Sequence, residues 1–173
     1  MAELSDSSAV GYVMSVLKEK DQGICTYIDT PIGYIQIKSS DKLISSIEFV
    51  EEKYNNDGYS SELNRARSQV VEYLQGERKQ FDFPIRLNGT PFQKKVWTVL
   101  QSIPYGITVS YFDIAKSIGH PRAMRAVGAA NRSNPIGIVV PCHRVIGKNG
   151  TLTGYAGGLH RKAWLLTLEQ KYA

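Results

Sequence analysis

The chain has 173 residues, 42% hydrophobic and 21% charged, with a mean hydropathy of −0.25; this supplies enough apolar surface for a real core and excludes disorder as the default. A formal charge of +5 and a pI near 9.2 favour polyanionic partners without requiring one. Two cysteines, Cys25 and Cys142, exclude the disulfide framework of a small secreted domain, no apolar run approaches the roughly 20 residues of a membrane span, and Glu3 and Asp6 stand where a signal peptide would be basic, so a reducing, cytoplasmic setting is expected.

Within residues 1–23, Val10, Val13, Met14 and Leu17 recur at helical spacing, and this stretch reads as an extension with a short helix. From Ile24 the pattern turns β-rich. ICTYI, then GYIQIK after the Pro31 turn, then LISSIEFV predict three antiparallel strands. The polar stretch EEKYNNDGYSS reads as a linker to a helix over Ser61 to Gln75, where Leu63, Ala66, Val70, Tyr73 and Leu74 recur at helical intervals before Gly76 stops the run. Residues 24–88 are therefore expected to form an N-terminal α+β domain that serves as scaffold, with nothing chemically poised in it.

Residues 89–173 are expected to form a second, mostly helical domain. Thr90 as N-cap and Pro91 at the first helical position open a helix with the apolar stripe Phe92, Val96, Trp97 and Leu100, ending near Pro104. Ser110 and Asp113 make the capping pattern of a short helix through Ile118. After the break Gly119-His120-Pro121 a further helix is predicted over Arg122 to Asn131, giving a helix-turn-helix pattern. This last helix carries Arg122 and Arg125 among small residues such as Ala126 and Ala129, so arginines could meet phosphates while the backbone comes close to a duplex. Taken alone, an alanine-rich packing helix with a solvated basic face fits the segment better.

The sharper signal is IGIVVPCHRVIG, read as a buried strand leading to Cys142 with His143 beside it. A thiolate is the reactive form of cysteine, and a neighbouring imidazole or cation lowers the thiol pKa from its usual ~8.5. A buried structural cysteine fits the same spacing about equally well.

PCHRV, followed by GYAGGL and preceded by NRSNP, resembles the active-site signature of the O6-alkylguanine-DNA alkyltransferases. The resemblance runs almost continuously from TPFQKKVWTVLQSIPYG to WLLTLE, while the first half is similar to that family's N-terminal domain only in size and strand pattern. It implies a stand-alone, single-turnover methyltransferase that moves the alkyl group of O6-alkylguanine onto Cys142, and it leaves O4-alkylthymine open. His143 would be the general base through a bridging water, oriented by Glu169, with Asn134 as the hinge of the turn before the cysteine. Tyr111 would assist the leaving guanine and crowd the target phosphate. Arg125 would enter the stack vacated by a flipped base, with Arg122, Ala126 and Ala129 on a helix lying in the minor groove of double-stranded DNA. Val145, Tyr155, Ala156 and Gly157 would line the pocket. No cofactor and no metal are implied: the N-terminal half offers only Cys25 and no histidine, short of a structural zinc site. A monomer is expected, nucleoid-associated in a prokaryote or nuclear in a eukaryote, with no membrane partner.

Two rival readings remain at this level. A cysteine hydrolase using Cys142 and His143 would need an oxyanion site and multiple turnover, and a non-catalytic lesion-binding module would not need the cysteine.

Overall fold

The computed structural model describes residues 23–54 and 57–173, so the helix expected around Val10 to Leu17 lies outside the described residues. The class is α+β. Strands β1 (Ile24–Thr30), β2 (Gly33–Ser40) and β3 (Leu43–Val50) form an antiparallel sheet in the order 1-2-3. The β2–β3 turn is Asp41-Lys42, both left-handed at φ 49 and 64, the geometry that lets a two-residue loop follow the twist of its strands. Register places Ile28 opposite Ile35 and Ile37 opposite Ile47, so these four buried side chains share one face, and Phe49, opposite Ile35, belongs to it as well. On the other face Gln36 donates to the Tyr27 hydroxyl (2.7 Å), which also accepts from the Tyr54 backbone (3.1 Å).

Helix α1 (Ser61–Leu74) starts at Ser60, whose hydroxyl accepts from Leu63 N, and buries Leu63, Ala66, Val70 and Tyr73. Gly76, at φ 79, closes it with bonds from Gly76 N to Tyr73 O and from Glu77 N to Glu72 O. A Cβ on Gly76 would sit inside the ring of Tyr172 near the C-terminus, so this turn is also a joint between the two halves of the chain.

Helix α2 (Pro91–Gln101) has the full capping box, Thr90 with Gln93, and buries Val96, Trp97 and Leu100, with Phe92 only half-buried. The Trp97 indole donates to Ala130 O (2.8 Å), fixing α2 against a later helix. Helix α3 (Tyr111–Ser117) is capped by Ser110 and Asp113 and ends in a left-handed Gly119. Helix α4 (Met124–Arg132) starts two residues later than the sequence pattern suggests. Ala123 N donates to His120 O, and no side chain caps the helix, so Pro121 to Ala123 turn instead and Arg122 lies in that turn, exposed.

The strand expected before Cys142 is not formed. Residues 136–140 make one bridge, Ile136 to Ile47, then turn tightly through Ile138 at φ 69, with Val139 N bonded to Gly137 O and Val140 N to Ile136 O. The apolar run is buried because Ile136, Ile138 and Val140 fill the core, not because it extends. Short strands β4 (Val109–Ser110) and β5 (Val145–Ile146) pair in parallel across the second half, and helix α5 (Leu159–Tyr172) closes it. No described helix is long and apolar enough to cross a membrane.

The free edge of β3 joins the halves. Ile44 N donates to Pro84 O and Arg86 N to Ile44 O; further along, Ile47 N donates to Pro135 O and Gly137 N to Ile47 O. The segment leading to Cys142 is thus hydrogen-bonded to the N-terminal sheet. Gly76→Ala should cost about 1–3 kcal/mol through left-handed strain and the clash with Tyr172, lowering the melting temperature by several degrees; an unchanged thermal melt would refute this joint.

Candidate active site

Cys142 opens a one-turn 3-10 segment, Cys142–Arg144, at the end of the turn that β3 holds. Its N–H donates to Val140 O (2.8 Å), and its carbonyl accepts from the Asn131 side chain (3.2 Å). Asn134 braces the preceding turn, its amide donating to Val140 O (2.7 Å) and its carbonyl oxygen accepting from Ile136 N (3.0 Å). The thiol is 6% exposed. Burial pushes it up, opposed by a hydrogen bond with the Asn134 side chain and by the charge on Lys162.

His143 is fully buried, with Nε2 2.7 Å from Glu169 Oε1 on α5. Burial lowers the imidazole pKa, although the hydrogen bond and charge of Glu169 act the other way. Burial also works to raise the Glu169 carboxyl, but its bonds to His143 and Arg144 and their charge outweigh it and hold the group well below the usual carboxylate range. An ionised carboxylate only accepts, so Nε2 carries the proton of the neutral ring and Nδ1, buried with no partner among the described residues, presents its lone pair.

Glu169 has further donors. Arg144 Nε meets Oε2 at 2.9 Å, Arg144 Nη2 meets Oε1 at 2.9 Å, and Gly106 N donates to Oε2 at 3.1 Å. The fourth partner comes from the other half of the chain: the Tyr73 hydroxyl of α1 donates to Oε1 at 2.7 Å and lies 3.4 Å from His143 Nε2. The N-terminal domain is therefore not mere scaffold, which corrects the expectation from sequence. A fully buried tyrosine needs a partner for its hydroxyl, and that was the available signal.

Lys162, on the same inner stripe of α5 as Leu165 and Glu169, is fully buried and donates to Val145 O and to Thr153 O (3.0 Å). Burial lowers its pKa to about 8, with Cys142 pulling the other way. The inner face of α5 is thus more polar than Trp164, Leu165 and Leu168 suggested: Leu165 is buried, the other two only half-buried. A lysine seven residues before a carboxylate, on one helical face with Leu165, was the overlooked clue.

A cavity of about 90 Å³ opens at Cys142, with Asn134, Tyr155, Ala156 and Gly157 among its walls. Val145 is buried beside it but does not line it. A broader groove of about 480 Å³ is lined by Tyr111, Arg125, Ala129 and Lys148, among others. Arg132 borders both spaces. Arg122 and Ala126 are exposed outside the groove lining. The Tyr111 hydroxyl donates to Thr153 O (2.8 Å); burial raises its pKa, and the charge of Cys142 acts in the same direction. Among the described residues, no cluster of three His, Cys, Asp or Glu side chains could hold a metal ion.

Residues 24–87 match the family described as the 6-O-methylguanine DNA methyltransferase ribonuclease-like domain, and residues 91–171 its DNA binding domain. A methylated-DNA–protein-cysteine methyltransferase of Mycolicibacterium paratuberculosis is 47% identical over 84% of this chain and 92% of its own length. The constitutive methyltransferase of that name in Bacillus subtilis is 44% identical over 84% of this chain and 94% of its own. Mycobacterium tuberculosis OGT, solved in complex with DNA, superimposes with a TM-score of 0.78 at 44% identity, covering 85% of this chain and 92% of that one. With both halves matched and relatives near half identity over most of its length, the chain belongs to the 6-O-methylguanine DNA methyltransferase family.

Proposed function

We propose that the protein repairs alkylated DNA by direct reversal, Cys142 taking the alkyl group of O6-alkylguanine in a duplex once per molecule, with O4-alkylthymine a second lesion of the same chemistry. The observation that carries this reading is the buried His143–Glu169 pair next to Cys142, with one imidazole nitrogen free and a cavity that meets a basic groove at Arg132. Neutral His143 takes the thiol proton through a bridging water. The thiolate attacks the alkyl carbon in line, the C–S bond forming as the C–O6 bond breaks, and the electron pair leaves on guanine. Tyr111, which feels the Cys142 charge, is the donor for that leaving group, so the net proton passes from thiol to guanine. A thioether has no hydrolytic path back to thiol, which makes the reaction stoichiometric.

A stacked base cannot reach a buried thiol, so the lesion must be flipped, at a cost of a few kcal/mol. Arg125 takes its place in the stack, while Ala126 and Ala129, exposed on α4, let the helix settle in the minor groove, with Arg122 at its start on a phosphate. The protein acts as a monomer on double-stranded DNA, in the cytoplasm of a prokaryote or the nucleus of a eukaryote.

Incubation with a duplex carrying labelled O6-methylguanine should add one methyl per chain, mapped to Cys142 by peptide mass and absent in Cys142→Ala. Label released over many turnovers would favour a hydrolase, and tight binding without transfer a recognition module. Arg125→Ala should slow transfer from duplex DNA by about tenfold or more and transfer from free O6-methylguanine far less; equal losses on both would remove Arg125 from base flipping.

The pH dependence follows from the buried pair. Transfer should rise from neutral into the alkaline range as the thiol ionises. A second, steeper fall should set in on the acid side of the ~6.5 of a free histidine, because burial keeps His143 neutral to lower pH. Tyr73→Phe removes a donor from Glu169 Oε1, leaving more negative charge facing the imidazolium, so the acid limb should move to higher pH. A superimposable profile would reduce Tyr73 to packing.

A further inference from the structure

The Cys142 cavity has walls from both halves of the chain. One end meets the groove of α3 and α4 at Arg132, and Gly154, which lines that groove, adjoins Tyr155 of the cavity wall; a base coming from DNA enters there. Part of the cavity wall is built by the N-terminal sheet, where Ile35, Ile47 and Phe49 line the same space as Cys142. Ile35 and Ile47 are core residues, 0% and 2% exposed, whereas Phe49 sits near the end of β3, only half-buried.

We propose that Phe49 sets the upper size of the alkyl group that Cys142 can accept, an inference that rests on Cys142 being the alkyl acceptor. In the transfer the C–S bond forms opposite the breaking C–O6 bond and the electron pair leaves on guanine. Any carbon beyond the first projects sideways from that line, into the rest of the cavity. The space is confined, about 90 Å³, so a methyl makes the smallest demand on it while a longer chain must be accommodated against the sheet wall.

Phe49 cannot easily give way. The Arg161 guanidinium lies 5.0 Å from its ring centroid and is itself fixed by bonds to Ile32 O (2.8 Å), Gly157 O (3.1 Å) and Glu51 (2.9 Å). Opposite, the wall at Gly157 is already so close that a Cβ there would lie 3.1 Å from the Phe49 ring and 2.8 Å from that of Tyr155. The ring is thus clamped between a cation and a glycine.

Single-turnover transfer from duplexes carrying O6-methylguanine or O6-butylguanine, followed by intact mass, tests this. Phe49→Ala should raise the butyl-to-methyl rate ratio about tenfold, and Phe49→Trp should lower it. Phe49→Leu, with a smaller rise in the same direction, gives the answer if the alanine variant does not fold. An unchanged ratio in a folded variant that still methylates Cys142 overturns the role of Phe49. Absence of methyl on Cys142 in the unaltered protein overturns the underlying reading instead, and the methyl arm tells the two apart.

Discussion

The carboxylate of Glu169 is the interaction on which the rest of the molecule depends. A bare charge in the interior would cost several kcal/mol, yet this one is bonded to a tyrosine hydroxyl, an imidazole, a guanidinium and a backbone amide drawn from three separate stretches of chain. Tyr73, His143 and Arg144 are buried, and all three converge on the same acceptor. Burial outweighs the pull of Glu169 on His143, with the charge of Arg144 adding to it, so Glu169 can stay ionised without making His143 a permanent cation. That balance keeps the ring a base and not an acid at neutral pH.

The second constraint is the edge of β3. An unpaired edge strand is a template for unwanted pairing, and here it is bonded at Ile44 by Pro84 to Arg86, near the end of the N-terminal half, and at Ile47 by Pro135 to Gly137. The second of these contacts holds the turn that Asn134 braces, so the sheet, the turn and Cys142 form one mechanical unit. The same strand supplies Phe49 to the cavity, which makes the N-terminal half a wall of the site as well as its support.

What could be read from sequence was what local chemistry encodes. The alternating β-rich runs, the Thr90 and Ser110 caps, Pro91 and the stops at Gly76 and Gly119 each rest on a rule spanning a few residues, and the strands and most helix ends follow them. Cys142 and His143 adjoin in sequence, so their promise was visible, while their chemistry had to come from resemblance. The contributions of Tyr73 and Lys162 were hidden because each depends on partners distant in sequence: 96 positions separate Tyr73 from Glu169. The missing strand before Cys142 failed for a related reason. β-branched residues are enriched in strands only where a neighbouring edge is offered, and β3 offers a single residue, Ile47, to this segment.

The place of Glu169 in the chain has a consequence for biosynthesis. Tyr73, His143 and Arg144 all emerge from the ribosome before the acceptor they share, and at ~5–20 residues per second Tyr73 waits on the order of ten seconds for it. During that interval β3 also lacks Pro135 to Gly137, so the nascent N-terminal half carries an open edge and an unsatisfied tyrosine. Cys142 and the His143–Glu169 pair are therefore brought together last, when α5 docks. Under the proposed function, a nascent chain holds its thiol without the paired imidazole, and a protein that acts once is spared from being spent before it has folded.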